Sequence, residues 1–105
     1  MKDQIFDYYC KRISSFMNPV GVVPSTEIAK EFKLTIYRAR KYIRELVDDG
    51  LLESKIEVLY YPAWDDEWYP PCIHRGYALT KKGLDSDNYK KYEAEQREFW
   101  NRRFD

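Results

Sequence analysis

The sequence predicts an α+β fold in which three helices build a core, a two-stranded β-hairpin follows them, and a further helix ends the chain. Three observations predict it. Apolar residues recur at three- and four-residue spacing through the first half, the period drops to two after Gly50, and the helical period returns from about Ser86.

Ile5, Phe6, Tyr9, Ile13, Phe16 and Met17, with Asp7, Lys11, Arg12 and Ser15 between them, predict a first helix over residues 3–17 that Asn18-Pro19 stops. Ser25, followed by Thr26, Glu27 and Ile28, reads as the N-cap of a second helix reaching about Phe32. Thr35 is the next N-cap. Ile36, Ala39, Ile43, Leu46 and Val47 form one stripe of a third helix ending at Asp49, with Gly50 as its C-terminal stop. The few residues between the second and third helices give the spacing of a helix-turn-helix. Leu52, Ser54, Ile56, Val58 and Tyr60 then alternate with Glu53, Lys55, Glu57, Leu59 and Tyr61, which is a strand. Pro62 ends it, residues 63–72 form a loop, and Ile73 to Leu79 return as its partner. Thr80 to Gly83 turns out of the sheet. Tyr89, Tyr92, Phe99 and Trp100 line one side of the last helix.

At 105 residues and 44% apolar, the chain is expected to be a single domain over 1–105, with the helix-turn-helix at about 25–50, the hairpin at about 51–80 and the C-terminal helix at about 86–104. No apolar run approaches the roughly 20 residues of a membrane span. Lys2, Asp3, Asp7, Lys11 and Arg12 interrupt any signal peptide, so a cytoplasmic protein with no membrane contact is expected. Cys10 and Cys72, with one histidine, cannot complete a closed zinc site, and no metal is expected. Four glycines with no phosphate-cradling loop and no Gly-x-Ser-x-Gly elbow point to no cofactor and no catalysis. Cys10 reads as a small core residue. Cys72-Ile73-His74 sets a thiol and an imidazole on one strand face, which is half of a metal site or a nucleophile with its base, without a recognisable third ligand or orienting acid.

Two segments carry a resemblance. Ser25 to Leu52 contains Glu27-Ile28-Ala29, a short turn, a basic second helix, and the exit Glu45-Leu46-Val47-Asp48-Asp49-Gly50-Leu51-Leu52. Tyr77-Ala-Leu-Thr-Lys-Lys-Gly83 follows about thirty residues later. Together they resemble the winged helix-turn-helix of small bacterial or phage-type transcriptional regulators over residues 25–83. The resemblance implies a three-helix core with a hairpin wing, and a general DNA-binding activity. Family wings are usually basic or glycine-rich at the tip, whereas this one carries Asp65, Asp66 and Glu67 between Trp64 and Trp68. Phosphate repels such a tip.

Eighteen bases against eighteen acids remove any argument for DNA from net charge, but position restores one. Lys33 to Arg44 holds five bases and no acid, while residues 45–67 hold eight acids and one lysine. On a helical wheel opposite Ile36, Ala39, Ile43 and Leu46, the outward residues are Tyr37, Lys41, Arg44, Glu45 and Asp48, with Arg38 and Arg40 at the borders. A recognition helix enters the major groove by its N-terminal half, which is the basic half here. Tyr37, Lys41 and Arg44 are therefore expected at base edges of double-stranded DNA, with Lys33, Thr35, Arg38 and Arg40 on phosphates. Ser25 and Thr26 lie where a phosphate contact would accompany capping.

The aromatic stripe Tyr89, Tyr92, Phe99 and Trp100 packs either on the first helix or on its copy in a homodimer. The dimer is the leaning, because two copies double the base contacts of one. The alternative to a transcriptional regulator is a winged-helix adaptor that binds a protein partner through Trp64 and Trp68 at the acidic wing tip and through the C-terminal aromatic stripe.

Overall fold

The computed structural model describes residues 1–15, 21–59 and 70–104. Phe16, Met17, Tyr60, Tyr61 and the hairpin tip with Trp64, Asp65, Asp66, Glu67 and Trp68 lie outside the described residues. The elements in order are α1 (Lys2–Ser14), α2 (Ser25–Glu31), α3 (Ile36–Asp48), β1 (Leu52–Leu59), β2 (Cys72–Leu79), α4 (Lys81–Leu84) and α5 (Asp87–Phe104). Helices combined with a two-stranded antiparallel hairpin make the fold α+β, an arrangement consistent with a winged helix.

α1 buries Ile5, Phe6, Tyr9 and Cys10 on one face, as their spacing requires. α3 packs against both α1 and α2 with Ala39, Ile43 and Leu46, and α5 lies along α1. Ile28, Val23, Leu52 and Leu79 complete the core. Tyr9 is fully buried, and its hydroxyl donates to the Val23 carbonyl at 3.1 Å. Burial holds its pKa far above the ordinary tyrosine value, while Tyr8 is pushed up to about 12 by burial and its hydrogen bond to Glu27. A pKa raised on folding gives stability that is present below the unfolded value of about 10 and lost as pH rises beyond it, at about 1.4 kcal/mol per pH unit for one fully shielded tyrosine. Tyr9→Phe should therefore cost about 1 kcal/mol at neutral pH and flatten the alkaline decline between about pH 10 and 12 by that slope, as read by urea denaturation. An unchanged alkaline limb would contradict the assignment.

α2 and α3 end in the same motif. Leu34 N–H reaches the Ala29 carbonyl at 2.8 Å and Lys33 N–H the Lys30 carbonyl at 3.4 Å. At the end of α3, Leu51 N–H reaches Leu46 at 3.0 Å and Gly50 N–H reaches Val47 at 2.9 Å. Each is a Schellman turn with a left-handed residue after the cap. Gly50 fills that place at φ 79°, as expected of glycine, but Lys33 fills it at φ 54°.

Several expectations are corrected. Pro24, not Ser25, occupies the N-cap of α2, and Ser25 is its first helical residue. Thr35 does cap α3, its Oγ1 accepting from Arg38 N–H at 3.2 Å. Ile36 and Val47 are exposed, because both lie on the edge of the stripe that Ala39, Ile43 and Leu46 centre. Residues 81–84 are not a simple turn but the short helix α4, which Thr80 caps by accepting from Gly83 N–H at 3.2 Å.

β1 and β2 pair from Leu52↔Leu79 to Leu59↔Cys72. Val23 adds an antiparallel bridge to Tyr77 on the outer side of β2, with reciprocal bonds of 3.0 Å. Among the described residues of the hairpin, those buried lie at its base, at Leu52, Ala78 and Leu79. Ile56, Val58 and Ile73 are exposed on one face. The hairpin extends past the helices that would cover them.

Candidate nucleic-acid interface

The amphipathic pattern of α3 turns Ala39, Ile43 and Leu46 into the core, so the opposite face points outward. Tyr37 is 78% exposed, and Arg38, Arg40, Lys41 and Arg44 are exposed with it. Tyr37, Arg40, Lys41 and Arg44 line one shallow groove of about 410 Å³, whose far wall is Glu45 and Asp48. The groove is thus cationic toward the N-terminus of α3 and acidic toward its C-terminus. Arg38 lies on the border beside the cap, and Lys33 sits in the turn that leads into the helix. Thr35 spends its oxygen as an acceptor for the cap and keeps its O–H for an outside acceptor.

The acidic C-terminus of α3 is unfavourable for the helix dipole, and distant cations offset it. Lys82 Nζ donates to the Asp49 carbonyl at 2.8 Å, and Lys2 Nζ pairs with Asp49 Oδ2 at 2.9 Å. Sequence reading missed both, since 33 and 47 residues separate the partners. It also missed the clamp that fixes α2 to α1. Arg12 Nε pairs with Glu27 at 3.0 Å while the Tyr8 hydroxyl donates to the same carboxylate at 2.9 Å, and these donors hold the Glu27 carboxyl below its ordinary pKa.

Lys33 offers a direct test of function against stability. A lysine in the left-handed region costs on the order of 1 kcal/mol that a glycine avoids. Lys33→Gly should raise stability by up to about 1 kcal/mol and, if this cation serves a phosphate, weaken binding to every duplex alike. Urea denaturation and fluorescence anisotropy on the same variant read the two effects. A loss of stability would remove the strain argument.

The four aromatic residues of α5 divide. Tyr89 and Tyr92 pack on the core of the same chain, and the Tyr92 hydroxyl donates to Asp7 at 2.6 Å beside Asn88, which donates to the other oxygen at 3.2 Å. Phe99 is 56% exposed and meets the half-buried Trp100 edge to face at 6.4 Å. Trp64 and Trp68 lie outside the described residues. Cys72 Sγ stands 3.2 Å from His74 Nε2. Among the described residues no three side chains of histidine, cysteine, aspartate or glutamate gather as a metal site, and no helix is long and apolar enough to cross a membrane.

A family model described as FaeA-like protein matches residues 1–56, a stretch that runs from α1 through α3 into β1. No curated protein and no solved structure matches the chain. With more than half of its length under that family model, including the whole basic face of α3, the chain belongs to the FaeA-like protein family.

Proposed function

We propose that this protein is a winged-helix regulator that binds double-stranded DNA sequence-specifically through α3. The observation that carries the reading is the outward, cationic N-terminal half of α3, where Tyr37, Arg40, Lys41 and Arg44 share one open groove. A helix of this width fits the major groove, and guanidinium and ammonium groups there meet guanine edges and phosphates. Membership of the FaeA-like family and the α2–turn–α3 order support it. In this reading Tyr37, Lys41 and Arg44 take base edges, while Lys33, Thr35, Arg38 and Arg40 take phosphates.

The active form is a homodimer, joined through the outer part of α5, where Phe99 stays exposed after Tyr89 and Tyr92 have been used within the chain. Sedimentation at micromolar protein checks the dimer. Selection of bound fragments from a random duplex library, followed by anisotropy across salt, checks the activity. Three phosphate-bound cations, Lys33, Arg38 and Arg40, give an expected slope of log K against log salt of about −3 per protomer. Absence of binding at low salt, or binding indifferent to salt, would remove the DNA reading.

A second reading has its own observation. Ile56, Val58 and Ile73 form an exposed β-branched face on the hairpin, and such surfaces suit protein contact better than phosphate. A winged-helix adaptor would use this face and the wing tip at Trp64 and Trp68, and would leave duplex DNA unbound in the same titration.

A further inference from the structure

Cys72 and His74 stand two residues apart on one face of β2, so their α-carbons are about 7 Å apart. Their side chains nevertheless close to 3.2 Å between Sγ and Nε2, which requires both to lean along the strand toward each other. β1 presents two charged groups to this face: Glu57, in register with His74, and Lys55, in register with Gly76. Lys55 Nζ binds Glu57 at 2.8 Å on the same strand. The carboxylate nearest in register to the imidazole is thus already held by a cation, and the imidazole nitrogen faces the thiol. Both residues are partly exposed.

Cys10, the second thiol, lies in the opposite situation. It is fully buried in α1, with Ser86 Oγ at 4.0 Å, and burial pushes it up to about 11. Thiolate character and access decide which cysteine reacts, and burial denies Cys10 both.

We propose that Cys72 and His74 form a reactive thiol site on the hairpin that exchanges with low-molecular-weight disulfides. The imidazole takes the thiol proton, and the Cys72 thiolate attacks one sulfur of the disulfide. A new S–S bond forms between Cys72 and that sulfur as the original S–S bond breaks. The departing thiolate leaves with the electron pair and collects the proton from the imidazolium. Cys72 is oxidised and one half of the disulfide is reduced, so no further reactant is needed. The proposal stands independently of DNA binding.

The test incubates the full chain with glutathione disulfide at pH 7 and follows adduct formation by mass spectrometry with peptide mapping. One adduct is expected, on Cys72, forming roughly tenfold faster than on free cysteine in the same buffer. His74→Asn and His74→Gln should each slow it about tenfold, Cys72→Ser should abolish it, and Cys10 should react only in urea. Protection of Cys10 in each variant reports an intact core. Reaction of wild-type Cys72 no faster than free cysteine would overturn the proposal, as would an unchanged rate in a histidine variant that still protects Cys10.

Discussion

Replacing Lys41 and Arg44 together by alanine is expected to lower affinity for the selected duplex by about 2–6 kcal/mol while changing affinity for random duplex far less, because each good base contact is worth about 1–3 kcal/mol of discrimination. Both side chains are exposed in the groove beside Tyr37, and neither belongs to the core that Ala39, Ile43 and Leu46 build. The substitutions should therefore leave urea stability within about 0.5 kcal/mol. Arg40→Ala provides the contrast. As a phosphate contact it should weaken all sequences alike and reduce the salt slope by about one. Anisotropy with the selected site and with random duplex, each across salt, separates the two kinds of contact. Uniform loss from the Lys41/Arg44 pair, with relaxed sequence preference from Arg40→Ala, would exchange the roles assigned to them.

Gly76→Ala is expected to destabilise the fold by about 3–5 kcal/mol. A Cβ on Gly76 would stand 2.8 Å from both the carbonyl carbon and the carbonyl oxygen of Val23, and 2.9 Å from Pro24 N. All three are backbone atoms, so no flexible side chain can yield. The segment must withdraw, which opens the two 3.0 Å bonds between Val23 and Tyr77 and disturbs the Tyr9 hydroxyl held on the Val23 carbonyl. Overpacking of this kind costs about 1–3 kcal/mol, and each lost hydrogen bond adds about 1 kcal/mol. Gly50→Ala makes the comparison. There the obstacle is the left-handed φ alone, with the new Cβ in ordinary contact with Lys82 at 3.8 Å, and the expected cost is about 1–2 kcal/mol. Urea denaturation of both variants ranks them, and an equal or smaller loss at Gly76 would show that Val23 is not anchored to the sheet as described.

Much of the fold was legible from local chemistry. The period of 3.6 in α3, the period of two after Gly50, the Thr35 cap and the Gly50 stop each reflect a preference of the backbone within a few residues, and each is found where it was expected; α1 keeps the expected period but ends at Ser14, with Ser15 extended, short of the expected stop at Asn18-Pro19. The outward direction of Tyr37, Lys41 and Arg44 follows from the same wheel that buries Ala39, Ile43 and Leu46. Errors arose where a local signal had two outcomes. Alternation in β1 marks Ile56 and Val58 as one face of a strand but does not say whether anything covers it. A serine before a helical run suits an N-cap, yet Pro24, with φ −75° and extended ψ, took that position one residue earlier.

By itself, then, the amino-acid order determined which faces each helix and strand would present and where most of them would stop, because side-chain direction and capping depend on neighbours a few residues away. Tertiary structure alone decided what met those faces. It turned Tyr89 and Tyr92 onto the core, brought Lys2 and Lys82 to the acidic end of α3, laid Val23 against Gly76 and Tyr77, and left Ile56, Val58 and Ile73 exposed. These contacts join residues far apart in the chain, and the free energy that selects them comes from burying whole elements together rather than from any local preference.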